Sequence, residues 1–183
     1  MLIQVIIGSV RKGRIGDQVA NWVLDLLKQK TNHTVELVDL ADWHLPMNDE
    51  PNLPSSGIYI QEHTKAWSKK IASADAYVFV CSQYNHGYAA SLKNALDHLY
   101  KEWHNKSATI VCYGFSGAEK VADQLKQVFN ILKLNHTTNF GKVMLSKDIY
   151  NQEGRIANPD ASFAAYKDSV EKSLDELLKL ITA

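Results

Sequence analysis

The amino-acid sequence predicts an α/β fold with a five-stranded parallel sheet of order 2-1-3-4-5 and helices on both faces. Short apolar runs and amphipathic helical segments alternate five times along the 183 residues. Right-handed crossovers then place successive strands in one parallel sheet covered by helices. The length predicts a single domain, residues 1–183. Apolar residues make up 45% and charged residues 22%, a composition that supplies a core and argues against wholesale disorder.

In the first half of the chain we expect two strands, two helices and one long loop. The continuous apolar run 2–7 is typical of a strand covered on both faces, and residues 33–40 form a second strand. Residues 41–57 hold three of the four prolines and show no periodicity, so they form a long loop, a kind of segment that often carries function. Apolar positions at helical spacing mark the two helices: Val19, Val23, Leu26 and Leu27, then Ile60, Trp67, Ile71 and Ala74.

The second half repeats the alternation. Three further strands are expected at 75–82, 107–114 and 136–145. A last helix begins at about Ser162, after the polar stretch 146–161. Three helices, including this last one, are expected in the second half, each with an apolar face. The first face consists of Leu92, Ala95, Leu96 and Leu99, the second of Val121, Leu125, Val128, Phe129 and Leu132, and the third of Phe163, Val170, Leu174, Leu177, Leu178 and Ile181.

The composition disfavours several classes of protein. Lys plus Arg and Asp plus Glu both number 20, so no nucleic-acid partner and no anionic membrane surface is expected. No apolar run approaches the roughly 18 residues of a membrane span. The N-terminus is apolar from the start and lacks the basic segment of a signal peptide, so it is expected to be a strand. The two cysteines, Cys81 and Cys112, suit a reducing cytoplasm and are expected as buried, unreactive neighbours on adjacent strands. The seven histidines lack a paired metal-ligand spacing, so no metal site is expected.

In such a sheet, ligands bind beyond the carboxyl ends of the strands, near the switch point between strands 1 and 3. The first loop there has glycines at 8, 13 and 16. A triphosphate loop needs Lys and Ser or Thr after its second glycine, but Arg14 and Ile15 follow Gly13. The dinucleotide spacing G-x-G-x-x-G is also missing. Asp39 could imitate its ribose-binding acid, but without the glycines it is expected at the surface or as a helix cap.

The remaining interpretation of this loop is a monophosphate site. The Ser9 hydroxyl, the Arg11 guanidinium and the free N–H groups near Ile15 and Gly16 can converge on one dianion at a helix N-terminus, with Arg14 as a second charge. The alternative is an ordinary strand-to-helix turn with solvated arginines. Asp17 is expected to begin or cap the helix.

Two further loops point to a flat heteroaromatic ring. Residues Tyr84, Asn85, His86 and Gly87 form a turn-rich tetrad where the third strand meets the crevice. The stretch 112–120 has two glycines and a serine before a helix, and its backbone could line the other edge of the ring.

The three loops together resemble the NAD(P)H-dependent FMN reductase family, which includes azoreductases, chromate reductases and quinone reductases on a flavodoxin-like fold. The resemblance covers nearly the whole chain, and the middle motif is its most specific part. It rests on Gly8-Ser9-x-Arg11, on Tyr84-Asn85-His86-Gly87 followed by Leu92-Lys93-Asn94-Ala95-Leu96-Asp97, and on Tyr113-Gly114-x-x-Gly117.

The resemblance implies tightly bound, non-covalent FMN. Its phosphate would bind Ser9, Arg11 and the turn Arg14-Ile15-Gly16, and its ring would lie along Gln83 to Gly87. The loop Tyr113, Gly114, Phe115, Ser116 and Gly117 would lie near the pyrimidine end. NADPH or NADH would supply a hydride that passes through FMN to a small-molecule acceptor by a ping-pong mechanism, with no catalytic side chain. The family usually forms homodimers, sometimes homotetramers.

The sequence also departs from the family pattern. Ser82-Gln83 replaces a frequent Pro-Glu, Arg14 and Gly16 replace Ser and Asn, and Phe115 replaces a glycine. Because these changes bear on flavin potential and substrate range, a flavin-binding sensor stays as an alternative. An electron carrier of the flavodoxin type is a second alternative, against which the neutral charge balance and Arg11 and Arg14 argue. Lys93 and Asp97 are expected to pair along a helix, and Trp103 is expected at a subunit interface.

Overall fold

In the computed structural model, which describes residues 1–182, the strands of the parallel sheet follow the predicted order, β2-β1-β3-β4-β5, and β6 also pairs with β4. The strands are β1 Leu2–Ile7, β2 Thr34–Asp39, β3 Ala76–Ser82, β4 Ser107–Gly114, β5 Asn135–His136 and β6 Gly141–Met144. The helices are α1 Gly16–Lys30, α2 Leu40–Trp43, α3 Glu62–Ala72, α4 Ala90–Asp97, α5 Glu119–Ile131, α6 Pro159–Phe163 and α7 Lys167–Thr182.

The sheet separates two hydrophobic cores. Along β3, Tyr77 and Phe79 point into the core under α3, α4 and α5, whereas Val78 and Val80 point into the core under α1 and α7. This alternation follows from the two-residue period of a strand. All seven residues of β3 are buried, because helices cover both faces.

The predicted fifth strand is broken in two. Residues 138–140 leave the ladder, and β5 and β6 each pair in parallel with β4. The carboxylate of Glu176 on α7 accepts the N–H groups of Thr138 and Asn139 at 2.6 and 3.0 Å, so the break has its own hydrogen-bond partner. Burial tends to raise the pKa of Glu176, but these hydrogen bonds outweigh burial and lower it.

The helices differ from prediction at several ends. Ile60 precedes α3 and is 55% exposed, so its assignment to an apolar face is wrong. The expected loop 41–57 begins inside α2 and contains a 3₁₀ turn, Pro54–Ser56. The expected last helix is divided into α6, a 3₁₀ turn and α7.

Trp103 is not at the surface, and its predicted interface role is wrong. Its side chain is fully buried and packs against the rings of Trp67, Tyr77 and Phe79, with centroids 6.5, 5.1 and 6.0 Å away. The 3₁₀ turn Lys101–Trp103 at the end of the α4 segment returns this ring under the helices. A ring buried within one chain cannot contact a second chain.

Two local predictions are confirmed. Lys93 and Asp97 form an ion pair one turn apart on α4. Cys81 and Cys112 are register partners on β3 and β4, and both are buried free thiols. Burial raises the pKa of Cys112, which keeps that sulfur protonated and unreactive.

Candidate active site

A cleft of about 190 Å³ lies at the carboxyl ends of β1, β3 and β4, where the sequence predicts a ligand. A second, open depression beside it shares Ser9, Arg11 and Tyr84. The cleft is lined by Ser9, Arg11, Arg14, Ile15, Gln83, Tyr84, Tyr113, Gly114, Phe115, Leu145 and Tyr150.

The first loop is anchored at its start. The Gly8 N–H donates to Val80 O at 3.0 Å, and the Ser91 hydroxyl of α4 donates to Gly8 O. A turn closed by Arg14 N–H donating to Arg11 O then leads into α1, with Gly13 in the left-handed region at φ 67°. The glycine suits this position because a side chain is strained there.

Three kinds of donor are found along this loop. The Ser9 hydroxyl forms a 2.9 Å hydrogen bond with the Tyr84 hydroxyl. The Arg11 guanidinium folds back on the Lys12 and Gly13 carbonyls, at 3.1 and 3.3 Å, and within residues 1–182 it forms no ion pair. As the first residues of α1, Gly16 and Asp17 have N–H groups without an intrahelical acceptor.

Arg14 is held differently from Arg11. Its guanidinium pairs with Asp39 at the end of β2 and donates to Ser9 O at 2.8 Å, so its charge is balanced and it braces the loop. Asp39 also caps α2 by accepting the Ala41 N–H at 2.9 Å, and the cap expected from the sequence is therefore confirmed.

Asp17 lies in the first turn of α1, as predicted, but it also has a long-range partner. The Arg155 guanidinium donates to Asp17 Oδ1 at 3.1 Å and to Arg14 O at 2.6 Å. Partial burial tends to raise the pKa of Asp17, but the hydrogen bond and the charge of Arg155 outweigh burial and lower it. The helix start is thereby linked to the polar stretch 146–161.

Gly16 allows a close approach between α1 and β4. A Cβ atom at this position would lie 2.6 Å from the Tyr113 hydroxyl oxygen and 3.3 Å from Ile7 Cγ2. Burial raises the pKa of Tyr113, so its hydroxyl is neutral in this contact.

Residues Tyr84–Gly87 form a tight hairpin turn. Tyr84 and Gly87 exchange two backbone hydrogen bonds of 2.8 Å, and Asn85 and His86 both have positive φ, 48° and 67°. These are the angles of a type I′ turn, which Asn enters more easily than most residues. The N–H groups of Asn85 and His86 are not used to close the turn, and both residues project to the surface.

The second and third loops are joined directly. Gln83 N–H donates to Tyr113 O at 3.0 Å, and the Gln83 side-chain amide donates to the Ser116 hydroxyl at 2.7 Å. Gly117 adopts φ 78° and closes the third loop. Phe115, 58% exposed, stacks on Tyr150 with a centroid distance of 6.3 Å and an interplanar angle of 23°.

The Tyr84 hydroxyl has an unusual environment. Partial burial tends to raise its pKa, but hydrogen bonding with Ser9 and the charge of Arg11 outweigh burial and lower it. A positive field therefore reaches from the first loop to the aromatic part of the cleft.

The predicted site residues divide into two groups. Nine of them line the cleft, from Ser9 to Phe115, and this grouping of three distant loops follows the prediction. Gly16 lies behind Tyr113, and Ser116 contacts Gln83. Asn85, His86, Gly87 and Gly117 shape the loops around the cleft without lining it.

Sequence reasoning missed Leu145 and Tyr150. Both follow β6, and the polar stretch that contains Tyr150 has no periodicity. A signal was nevertheless present, because β6 ends at the same edge of the sheet as β1, β3 and β4, so its following loop also faces the crevice.

Comparisons with known proteins show the family of this chain. Residues 1–148 match the family model described as NADPH-dependent FMN reductase. The chain is 46% identical over 180 residues to an NAD(P)H-dependent FMN reductase of Schizosaccharomyces pombe, covering 97% of this chain and 89% of that protein. It is 30% identical to an NAD(P)H:quinone oxidoreductase of Solanum tuberosum, covering 70% and 66% of the two chains.

A solved structure has the same fold. The flavoenzyme NAD(P)H:(acceptor) oxidoreductase FerB from Paracoccus denitrificans superposes with a TM-score of 0.71 over 97% of each chain, at 19% identity.

Among residues 1–182, no helix combines the length and the apolar character that crossing a bilayer requires.

Proposed function

Because this chain belongs to the NADPH-dependent FMN reductase family and is an oxidoreductase, we propose that it binds FMN in the cleft between its first, second and third loops. We further propose that it passes a hydride from NADPH or NADH through FMN to a small-molecule acceptor. The observation that carries the proposal is the Ser9–Arg11 loop, which is open to a helix N-terminus and adjoins an aromatic cleft.

The first loop suits the phosphate end of FMN. Within residues 1–182, the Arg11 guanidinium bonds the Lys12 and Gly13 carbonyls and forms no ion pair, so an anion can take it without breaking one. The Ser9 hydroxyl and the Gly16 N–H add uncharged donors, which favour an anion at a helix N-terminus. Arg14 is proposed as a brace that fixes Ser9, because its charge is already balanced by Asp39.

The second and third loops suit the flat ring of the cofactor. Tyr84, Tyr113, Phe115 and Tyr150 supply the aromatic surface of the cleft, and Gln83 joins its two sides through Ser116. We propose that N–H groups of the Tyr84–Gly87 and Gly114–Gly117 loops stabilise negative charge that develops on the ring. A backbone donor costs little reorganisation, because both loops are already closed by their own hydrogen bonds.

Bound FMN would accept a hydride from the reduced nicotinamide and release it to the acceptor, and this is the chemistry that the cofactor supplies. The protein's tasks are therefore binding, orientation and electrostatic stabilisation, and no side chain is assigned as a general acid or base. Since nicotinamide and acceptor would use the same open face of the cleft in turn, we expect ping-pong kinetics.

Planar acceptors are proposed as substrates. The potato relative is named a quinone oxidoreductase, and a Staphylococcus haemolyticus relative is named an FMN-dependent azoreductase. The Phe115–Tyr150 pair forms an aromatic wall on which a quinone or azo compound could stack. No nucleic-acid or membrane partner is proposed.

A homodimer or homotetramer in the cytoplasm is also proposed, with residues 1–183 as one domain. Two buried free thiols suit a reducing compartment. The loop after α2 exposes four apolar side chains, Met47, Leu53, Ile58 and Ile60, which a second copy of the chain would cover. Light scattering of the purified protein measures the mass directly.

The test of the function is the visible spectrum of the purified protein, recorded before and after anaerobic addition of NADPH. Flavin bands that bleach within seconds and return when a quinone is added would support the proposal. Flavin bands that persist with both NADPH and NADH would favour an electron carrier or a sensor. If added FMN does not bind, the cofactor assignment itself is refuted.

A further inference from the structure

We propose that Asp49, His63 and His98 form a binding site for Zn²⁺ that is separate from the cleft. One ligand atom from each residue lies within 4.8 Å of the other two. The three residues come from the loop after α2, from the first turn of α3 and from the end of α4. None of them lines the candidate active site.

His98 is already oriented for metal binding. Its side chain is fully buried, and its Nδ1 lies 2.8 Å from the Asn94 carbonyl oxygen. A carbonyl only accepts hydrogen bonds, so in the neutral ring Nδ1 carries the proton and Nε2 has the lone pair. A histidine that donates one ring N–H to a carbonyl and offers the other nitrogen is the usual arrangement in metal sites.

The Nε2 atom of His98 is buried and, within residues 1–182, has no hydrogen-bond partner. Leaving a buried polar atom without a partner is unfavourable, and most native proteins avoid it. A bound cation would satisfy this lone pair. This orphaned atom distinguishes the cluster from ordinary surface histidines.

His63 and Asp49 supply the other two ligands. His63 Nε2 lies 2.9 Å from Asp49 Oδ1, and the His63 and His98 rings meet edge to face with centroids 6.0 Å apart. Two imidazoles and one carboxylate suit a zinc site in which water is the fourth ligand. The solvent side is open, because the side chains of His63 and Asp49 are 28% and 43% exposed.

Asn94 holds the loop against the helix before any metal binds. Its side-chain oxygen accepts the Asn48 N–H at 3.2 Å, and its amide donates to Pro46 O at 2.7 Å. The backbone carbonyl of Asn94 accepts the hydrogen bond from Nδ1 of His98. One residue thus positions both the ligand at 98 and the segment that precedes Asp49, and zinc would connect the long loop to α3 and α4.

The test uses untagged, FMN-loaded protein treated with a chelator and then dialysed. Zn²⁺ affinity is measured by competition with a chromophoric chelator for the wild type, Asp49→Ala, His63→Ala and His136→Ala. His136 is the matched control for His63. Like His63, it is half-buried and hydrogen-bonded to a side-chain oxygen, in this case that of Asn130 at 3.0 Å. His98 is left unchanged, because a substitution at a fully buried position could itself unfold the protein.

We expect one Zn²⁺ per chain in the wild type and in His136→Ala. Asp49→Ala and His63→Ala should each weaken zinc binding at least about tenfold, since each removes one of three protein ligands. Zn²⁺ should also raise the melting temperature of the wild type and of the control, but not that of the two ligand variants. Absence of stoichiometric binding in the wild type, or equal affinity in all four proteins, would overturn the proposal.

Discussion

The contact between Gly16 and Tyr113 predicts a mutational effect that depends on one oxygen atom. In Gly16→Ala, the new Cβ would lie 2.6 Å from the Tyr113 hydroxyl oxygen. Since real Cβ contacts of this kind are not shorter than 3.0 Å, α1 or the Tyr113 ring must move by about 0.4 Å or more. Overpacking of this kind costs about 1–3 kcal/mol. Replacing glycine with alanine near a helix start also stabilises the protein by about 0.5–1 kcal/mol, because alanine gives the unfolded chain less conformational freedom.

The expected net effect is a loss of about 1 kcal/mol in the free energy of unfolding, or roughly 2–4 °C in melting temperature for a chain of this size. Tyr113→Phe removes the oxygen that clashes. The next contacts of the Cβ, 3.3 Å to Ile7 Cγ2 and 3.6 Å to Tyr113 Cζ, require little movement. When it is combined with Tyr113→Phe, Gly16→Ala should therefore be neutral or slightly stabilising.

Urea unfolding of the wild type, both single variants and the double variant measures this coupling directly. We expect the double variant to be more stable than the sum of the single effects by about 1–2 kcal/mol. Two results would refute the reasoning: additive effects within error, or a Gly16→Ala protein at least as stable as the wild type. Additive effects would mean that the Tyr113 oxygen does not cause the loss, and a Gly16→Ala protein as stable as the wild type would mean that α1 and β4 can separate without cost.

Three further predictions concern binding and stability. Arg11→Ala should weaken FMN binding about tenfold to a hundredfold, with riboflavin binding unchanged, because a charge-assisted hydrogen bond contributes about 1.5–3 kcal/mol. In fluorescence titrations, the neighbouring Lys12→Ala serves as control, and an equal loss for riboflavin would exclude a phosphate role. Phe115→Ala should raise the KM for a planar quinone about 3- to 10-fold through loss of ring stacking, and an unchanged KM in steady-state assays would remove Phe115 from the acceptor site. Arg155→Ala should lower the free energy of unfolding by its full amount at pH values above 3.8, the ordinary pKa of Asp17. This loss should shrink as the pH falls through the lowered pKa that Asp17 has in the folded protein, because protonation of Asp17 removes the charge partner of Arg155. A deficit that urea unfolding finds independent of pH would contradict this.

The cleft itself could be predicted because its three main loops follow buried strands. The strands β1, β3 and β4 consist mainly of apolar residues, and each ends at the predicted residue. Since parallel strands end at one edge of the sheet, the sequence predicts that Ser9, Tyr84 and Phe115 lie together, and all three line the cleft.

Charge balance inside the cleft could not be predicted in the same way. Arg11 and Arg14 are three residues apart in one loop, and nothing in that spacing distinguishes them. Asp39 neutralises Arg14 because β2 ends beside β1 in the sheet, whereas Arg11 faces the cleft without an ionic partner in residues 1–182. The roles of the two arginines therefore depend on which guanidinium reaches Asp39 across the β1–β2 edge.

By itself, the sequence determined the strand order, the alternation of helices and strands, and the edge of the sheet where a ligand binds. These features depend on periodicity and turn residues, which are local properties of the chain. Only the tertiary structure decided the break in the fifth strand, the burial of Trp103, the place of Tyr150 in the cleft and the meeting of His63 with His98. Each of these depends on contacts between residues far apart in the chain, and a local pattern carries no information about which distant side chain fills a given space.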